Sequence, residues 1–232
     1  MLNWAARYYP ITRILRANGF FDKGSLLEIG SGSVGIGKFR PVPFVGCDIA
    51  FASKPVWPMI AVVASAADLP MSDCQFDVVV ASDVLEHIPL DLRNSVISET
   101  LRVARYLVIF GFPSSDAAWQ LDKSLMQYYE RRHVIPPDWL KEHMDAPFPG
   151  ADLFQNLDGW SVEQFGNESL RFHGWLMRRE MCRPFVRACT LWMQIAPRIV
   201  ETVLKWLDRE PNYRQIFVLK RTATPTNSDR DR

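Results

Sequence analysis

Residues 25–35 read SLLEIGSGSVG, a short apolar run that passes directly into a glycine-rich turn. Such a turn after a buried strand lets the backbone approach a ligand closely and presents the free amides of the helix that follows. Further apolar runs lie at 42–48, 60–64, 76–82 and 106–112, and FDVVVAS at 76–82 is the clearest of them. A continuous β-branched run is typical of a strand buried on both faces, so the sequence predicts a parallel sheet.

Helical patterns separate these predicted strands. Residues 91–104 carry an amphipathic pattern, whereas nearby prolines restrict helices at 35–40 and 51–57 to short segments. Two later runs, at 160–166 and 214–219, predict a sixth and a seventh strand. The alternation of strands and helices predicts an α/β fold.

The segments outside this core have distinct expected roles. Residues 4–18 predict a short N-terminal helical cover, and 114–150 would follow the fifth strand as a lid or substrate-binding insertion. A helical insertion is expected at 168–210, where Pro197 should kink or divide the helix. These segments form one domain, 1–221, with a cofactor-binding core at 25–112, and the polar residues 222–232 predict a disordered tail.

Composition limits the class of protein. The chain has 232 residues, 48% of them apolar, and a net charge of +1, so no strong field favours nucleic acid or an acidic membrane. Its four cysteines form no CxxC pair and no zinc-finger spacing, and we expect reduced, mostly buried thiols and no metal site. Because no apolar run resembles a signal peptide or a membrane span, the expected location is cytoplasmic.

Four polar features follow the predicted strands in order. Glu28 precedes the first glycine, where a carboxylate would repel a phosphate but favour a positively charged ammonium or sulfonium. Asp48 ends the second strand, at the offset at which an acid binds ribose hydroxyls. Asp68 follows the third strand and could accept a hydrogen bond from an exocyclic amine. The stretch SDVLEHI at 82–88 follows the fourth strand, at the edge where ligands bind.

Together these features resemble the class I methyltransferase family, in particular its branch with a D-V-L-E-H-I motif after the fourth strand. The resemblance covers residues 25–112 and implies a Rossmann-like, doubly wound, seven-stranded and mostly parallel sheet. It also implies S-adenosyl-L-methionine as cofactor, bound across the carboxyl edge. The positions that match the family's cofactor-binding residues are Glu28, Gly30, Ser31, Gly32, Asp48, Ile49, Asp68, Leu69, Ser82, Val84 and His87.

The glycine turn departs from the family pattern, because Val34 stands where a third glycine is frequent and Gly35 comes one place later. No catalytic base is evident, since in-line methyl transfer depends mainly on positioning. His133, followed by PPDWL at 136–140, is a weak candidate for a base or a substrate contact, and the sequence favours a structural histidine that caps the following helix.

The acceptor is left open between a small molecule, a sugar and a lipid-linked intermediate, and the helices of 168–210 could contact a membrane surface. No nucleic-acid partner is expected. Three alternatives remain: a methyltransferase-like binding protein without catalysis, an NAD-dependent dehydrogenase favoured by the G-x-G-x-x-G spacing alone, and a methyltransferase acting on protein or nucleic acid.

Overall fold

The computed structural model describes residues 2–222 and is built on one seven-stranded sheet. The strand order is β3-β2-β1-β4-β5-β7-β6, and β7 runs antiparallel to both of its neighbours. All seven predicted strands are present, so the predicted fold class is confirmed. The strands are β1 (Leu26–Ile29), β2 (Phe44–Asp48), β3 (Met59–Val63), β4 (Phe76–Ser82), β5 (Ala104–Pro113), β6 (Trp160–Ser169) and β7 (Asn212–Arg221).

Seven α-helices accompany the sheet within the described residues. Pro197 divides the predicted helix in two, as expected, because its ring cannot continue the hydrogen-bond ladder. The short helix expected over 51–57 does not form, and 35–40 contains one 3₁₀ turn, Gly35–Lys38. The helices are α1 (Leu2–Ala17), α2 (Arg93–Val103), α3 (Asp116–Arg131), α4 (Asp138–Asp145), α5 (Leu170–Glu180), α6 (Arg183–Ile195) and α7 (Pro197–Leu207).

Alternation along the strands creates two apolar cores, one on each face of the sheet. Val79 of β4 belongs to the core that packs against α2, whereas Val78 and Val80 belong to the core that packs against α1. A third cluster joins α1 to the helices of the two insertions and includes Leu125 and Leu176. The central strands are therefore held from both sides, which fixes the carboxyl edge of the sheet as a rigid platform.

Both insertions fold into helices. The segment 114–150 contains α3 and α4, and the segment 168–210 contains α5, α6 and α7. No helix among residues 2–222 has the length and hydropathy needed to cross a bilayer. The four cysteines are free, as expected, but only Cys47 and Cys189 are buried. The predicted tail lies outside the described residues from residue 223 onward.

Candidate functional site

The glycine turn after β1 depends on backbone conformations that side chains disfavour. Gly30 and Gly32 have φ angles of +66° and +53°, in the left-handed region. A Cβ on Gly30 would overlap the side chain of Val84, so this glycine allows β1 and the loop after β4 to meet. The Gly32 amide donates to Asp48 Oδ2 at 2.8 Å. The turn therefore joins three of the predicted cofactor residues, Gly30, Gly32 and Asp48, at one place.

Glu28 braces this turn from inside the protein. Its buried carboxylate accepts hydrogen bonds from the Tyr8 hydroxyl and from the Ile36 amide, both at 2.7 Å. Gly35 leaves the space that this carboxylate occupies, which accounts for a glycine one place later than the family pattern. Both carboxylate oxygens are therefore bonded within the protein. For this reason, repulsion between Glu28 and a phosphate no longer distinguishes a dinucleotide from S-adenosylmethionine. A direct Glu28–cofactor contact stays a prediction.

Burial raises the pKa of Glu28 from 4.5 to about 7. A carboxyl whose pKa is raised by folding stabilises the fold fully below its unfolded pKa, and that contribution is lost as pH rises through the folded pKa. We therefore expect the unfolding free energy to fall by about 1 kcal/mol between pH 6 and pH 8. Glu28→Gln should not show this fall in urea denaturation, because its amide oxygen can accept from the Ile36 amide while its NH2 group donates to the Tyr8 hydroxyl.

The control for this prediction is Glu163→Gln, because Glu163 is an exposed residue of β6 paired with Lys220. This variant should retain the pH dependence of the wild type. If the unfolding free energy depended on pH equally in the wild type and in Glu28→Gln, an ionisation of Glu28 between pH 6 and pH 8 would be contradicted.

A cavity of about 270 Å³ opens at the carboxyl ends of β1, β2 and β4. Asp48 contributes a carboxylate to its wall, and apolar side chains contribute most of the rest. A carboxylate can bind the hydroxyls of a ribose, and apolar walls can hold a flat base, so this cavity suits an adenosine. These residues therefore fit S-adenosylmethionine. The lining also includes Ile29, Gly30, Ile49, Ala64, Ser65, Ala67, Val84, His87, Leu92 and Val96.

The remaining predicted positions differ in how they relate to this cavity. Ile49 lines it and is 75% exposed, which leaves its side chain free to cover a ligand. Asp68 is exposed and is not among the lining residues, whereas Ser65 and Ala67 are. Leu69 is buried in the core below, and its amide donates to Glu99 at 2.9 Å. Roles for Asp68 and Leu69 in binding adenine stay predictions.

Ser31 and Ser82 are buried behind the cavity. The Ser31 hydroxyl donates to the Gly32 carbonyl at 3.0 Å and is bonded within the turn. The Ser82 hydroxyl has no hydrogen-bond partner among residues 2–222. Val84 and His87 line the cavity, as the resemblance implies for residues near the transferable methyl group.

Two arginines, the buried Arg214 and the partly buried Arg7, hold the loop after β4, and sequence reasoning missed both. Asp83 receives Arg214 Nε and Nη2 at 2.6 and 2.8 Å and Arg7 Nη2 at 2.6 Å. These cations keep the pKa of Asp83 well below its ordinary value although its burial acts in the opposite direction. Asp83 thus stays ionised and paired, which makes it an anchor for the loop and a poor proton acceptor.

His143 of α4 is the second feature that the sequence analysis missed. Its Nδ1 lies 2.8 Å from Asp122 Oδ2, which also accepts the Tyr213 hydroxyl at 2.8 Å. The rings of His143 and His87 lie 5.1 Å apart, so α4 reaches the D-V-L-E-H-I loop. His133, by contrast, is exposed just after α3. It lines neither the cavity beside Asp48 nor the second cavity, which belongs to the segment 114–150.

The segment 114–150 encloses a second cavity, of about 550 Å³. Arg93 of α2 donates to the carbonyls of Ile88 and Pro147, and this arginine ties the segment to the D-V-L-E-H-I loop. The walls are mixed in polarity, which suits an acceptor with both polar and apolar groups. They comprise Ser114, Ser115, Asp116, Trp119, Met144, Asp145, Ala146, Pro147, Phe148, Pro149 and Gly150.

Comparison with known proteins finds similarity to a methyltransferase domain over part of the chain and to solved structures of the same fold over most of it. Residues 41–108 match a family model described as a methyltransferase domain. The chain is similar to a protein whose structure was solved for the conversion of a disulfide bond into a thioacetal group during echinomycin biosynthesis, at 14% identity over 95% of this chain and 84% of that chain, with a TM-score of 0.54.

It is also similar to a SAM-dependent methyltransferase of Thermotoga maritima, described as a possible histamine N-methyltransferase. That likeness has 12% identity over 94% of this chain and 92% of that chain, with a TM-score of 0.51. No curated protein matches the sequence significantly. At these identities the similarity to solved structures establishes the fold alone.

Proposed function

We propose that this chain is a class I S-adenosylmethionine-dependent methyltransferase and that it transfers the methyl group to a small molecule held in the cavity of the segment 114–150. The observation that carries the proposal is the adjacency of the two cavities. His87 lines the cofactor cavity and Met144 lines the second one. The ring of His143, which precedes Met144, lies 5.1 Å from the ring of His87. A cavity of about 550 Å³ is of the size of small-molecule sites.

The chain's own contribution to the reaction is positioning. S-adenosylmethionine supplies an electrophilic methyl group when it is bound. The paired arginines on Asp83 fix the loop that carries Val84 and His87. Arg93 fixes one wall of the second cavity, because it donates a hydrogen bond to the Pro147 carbonyl at 3.0 Å. A rigid frame on both sides of the acceptor can align its nucleophile with the methyl group, and alignment supplies much of the rate in such reactions.

A lipid-linked acceptor is the second candidate, favoured by the surface of α5, α6 and α7. These helices expose large apolar side chains beside several arginines, a pattern that suits contact with a membrane interface. Such contact would present an acceptor that remains anchored in lipid. The exposed apolar residues are Trp175, Leu191, Trp192, Ile195, Ile199 and Trp206.

One labelling experiment tests the proposal. Purified protein and methyl-labelled S-adenosylmethionine are added to a cell extract that is then separated into low-mass, membrane and macromolecular fractions. We expect label in the low-mass fraction. Trp119→Ala, which removes the larger of the two aromatic side chains that line the second cavity, should lower this signal by about 10-fold.

The matched measurement is the affinity of Trp119→Ala for S-adenosylhomocysteine, which should equal that of the wild type because Trp119 lies outside the cofactor cavity. Label in the membrane fraction would favour the lipid-linked acceptor. Label in macromolecules would favour a protein or nucleic-acid substrate. Cofactor binding without transfer to any fraction would support a binding protein without catalysis.

A further inference from the structure

Three metal-ligating side chains meet where the two cavities approach each other: His87 lines the first cavity, and His143 precedes Met144, which lines the second. Glu86, His87 and His143 each offer one ligand atom, and these atoms lie within 4.8 Å of one another. Tetrahedral zinc ligands at about 2.0–2.2 Å from the ion stand about 3.4 Å apart. Small side-chain rotations would therefore bring all three onto one ion. The sequence alone gave no indication of this cluster, because His143 comes from α4 and only the fold brings it to the D-V-L-E-H-I loop.

Glu86 is the observation that most calls for a ligand. It is 3% exposed, and neither carboxylate oxygen has a hydrogen-bond partner on another residue among 2–222. A buried carboxylate without a partner is costly, and a cation would remove the cost. The arginines nearby do not supply the missing partner, since Arg7 and Arg214 are bonded to Asp83. Arg93 also lies near Glu86, but it donates its hydrogen bonds to two backbone carbonyls.

His143 is held in the manner of a metal ligand. Its Nδ1 pairs with the Asp122 carboxylate at 2.8 Å, which leaves Nε2 for an ion. Histidines that bind metals are usually oriented by such a carboxylate, which fixes the ring and raises its basicity. Asp122 is itself held by the Tyr213 hydroxyl. His87 has an acidic neighbour as well: Glu142 Oε2 lies 2.7 Å from its Nδ1, although this contact lacks the geometry of a hydrogen bond.

We propose that Glu86, His87 and His143 bind one divalent transition-metal ion, with Zn²⁺ as the best fit. Two imidazoles and one carboxylate suit zinc and its first-row neighbours, whereas Mg²⁺ and Ca²⁺ prefer oxygen ligands alone. Three protein ligands leave a coordination position open at the boundary of the cavities. There the ion binds an oxygen or nitrogen atom of the acceptor and holds it beside the methyl group. This last step rests on the proposed function; the metal site does not.

Calorimetric titration of Zn²⁺ into chelator-treated protein tests the site, with Mg²⁺ in parallel. The wild type should bind one Zn²⁺ per chain and no Mg²⁺. Glu86→Gln and His143→Ala should each weaken Zn²⁺ binding by about 100-fold or more, and Asp122→Asn by about 10- to 100-fold. His133→Ala is the matched control, because His133 is exposed and outside the cluster, and it should bind like the wild type.

Two further readouts keep the outcome unambiguous. Zn²⁺ should raise the melting temperature of the wild type and of His133→Ala but not of Glu86→Gln, which has nearly the shape of the native side chain. Every variant retains all four cysteines, so Zn²⁺ binding that survives unchanged in both Glu86→Gln and His143→Ala overturns the site. S-adenosylhomocysteine titrated into the same metal-free wild type separates the two hypotheses: cofactor binding without Zn²⁺ binding overturns the metal site alone.

Discussion

Replacing Asp48 by alanine is expected to weaken S-adenosylhomocysteine binding by about 100-fold, or about 2.7 kcal/mol. Of the two aspartates that line the cofactor cavity, Asp83 is paired with arginines and Asp48 is left to bind the ribose. A hydrogen bond to a charged group contributes about 1.5–3 kcal/mol. The substitution also removes the acceptor of the Gly32 amide and thereby loosens the glycine turn. Calorimetric titration of S-adenosylhomocysteine into the wild type and into Asp48→Ala measures the two affinities. The wild type should bind in the micromolar range, near −8 kcal/mol.

Asp158→Ala is the control for this titration. Asp158 is an exposed aspartate in the turn before β6, at the far edge of the sheet, so its removal changes the net charge equally without touching the cavity. It should bind like the wild type. If Asp48→Ala and Asp158→Ala bound equally well, the cavity would not hold the ribose through Asp48. No binding to a folded wild type would contradict the cofactor assignment itself.

Asp68→Ala would resolve a point on which sequence and structure differ. The order of the motifs places Asp68 beside the adenine amine, whereas the structure leaves its side chain exposed and lines the cavity with Ser65 and Ala67. From the structure we infer that the backbone of 65–67 meets the adenine, and that loss of Asp68 affects binding far less than loss of Asp48.

The sequence predicts those parts of the molecule that depend on local patterns. β4 was recognisable because a β-branched run buried on both faces needs no knowledge of its neighbours. The glycine turn and Asp48 were also recognisable, since β1 and β2 are adjacent in the chain and pair in parallel. The predicted short helix at 51–57 was wrong because its prolines disfavour even one regular turn.

The buried ion pairs could not be predicted, because their partners are distant in sequence. Arg214 meets Asp83 across 131 positions and Arg7 reaches it from the first helix. Nothing local distinguishes these arginines from exposed ones. His143 carried a weak signal: it follows Leu140 by three positions and therefore shares the buried face of α4. That spacing is equally typical of a histidine in an ordinary core, so the structure was needed to give it a role.

Arg214→Met is expected to lower the free energy of unfolding by about 3–5 kcal/mol, the largest stability effect that we predict. Arg214 is 2% exposed, and its guanidinium binds Asp83 and Glu168 together. Methionine fills a similar volume, but it leaves the carboxylates of Asp83 and Glu168 with fewer cationic partners. The free-energy cost of removing these charges from water is then no longer compensated. Urea denaturation followed by tryptophan fluorescence measures the loss.

Two variants show whether the effect comes from buried charge. Arg105→Met removes an arginine of β5 whose pair with Asp77 is partly exposed, and it should cost about 0–1 kcal/mol. Arg214→Lys keeps the charge but cannot bind Asp83 with two parallel donors, so its cost should lie between the other two. If Arg214→Met cost no more than Arg105→Met, the buried pairs would not hold the loop after β4. Its orientation toward the cofactor cavity would then depend on the packing of Val84 against Gly30.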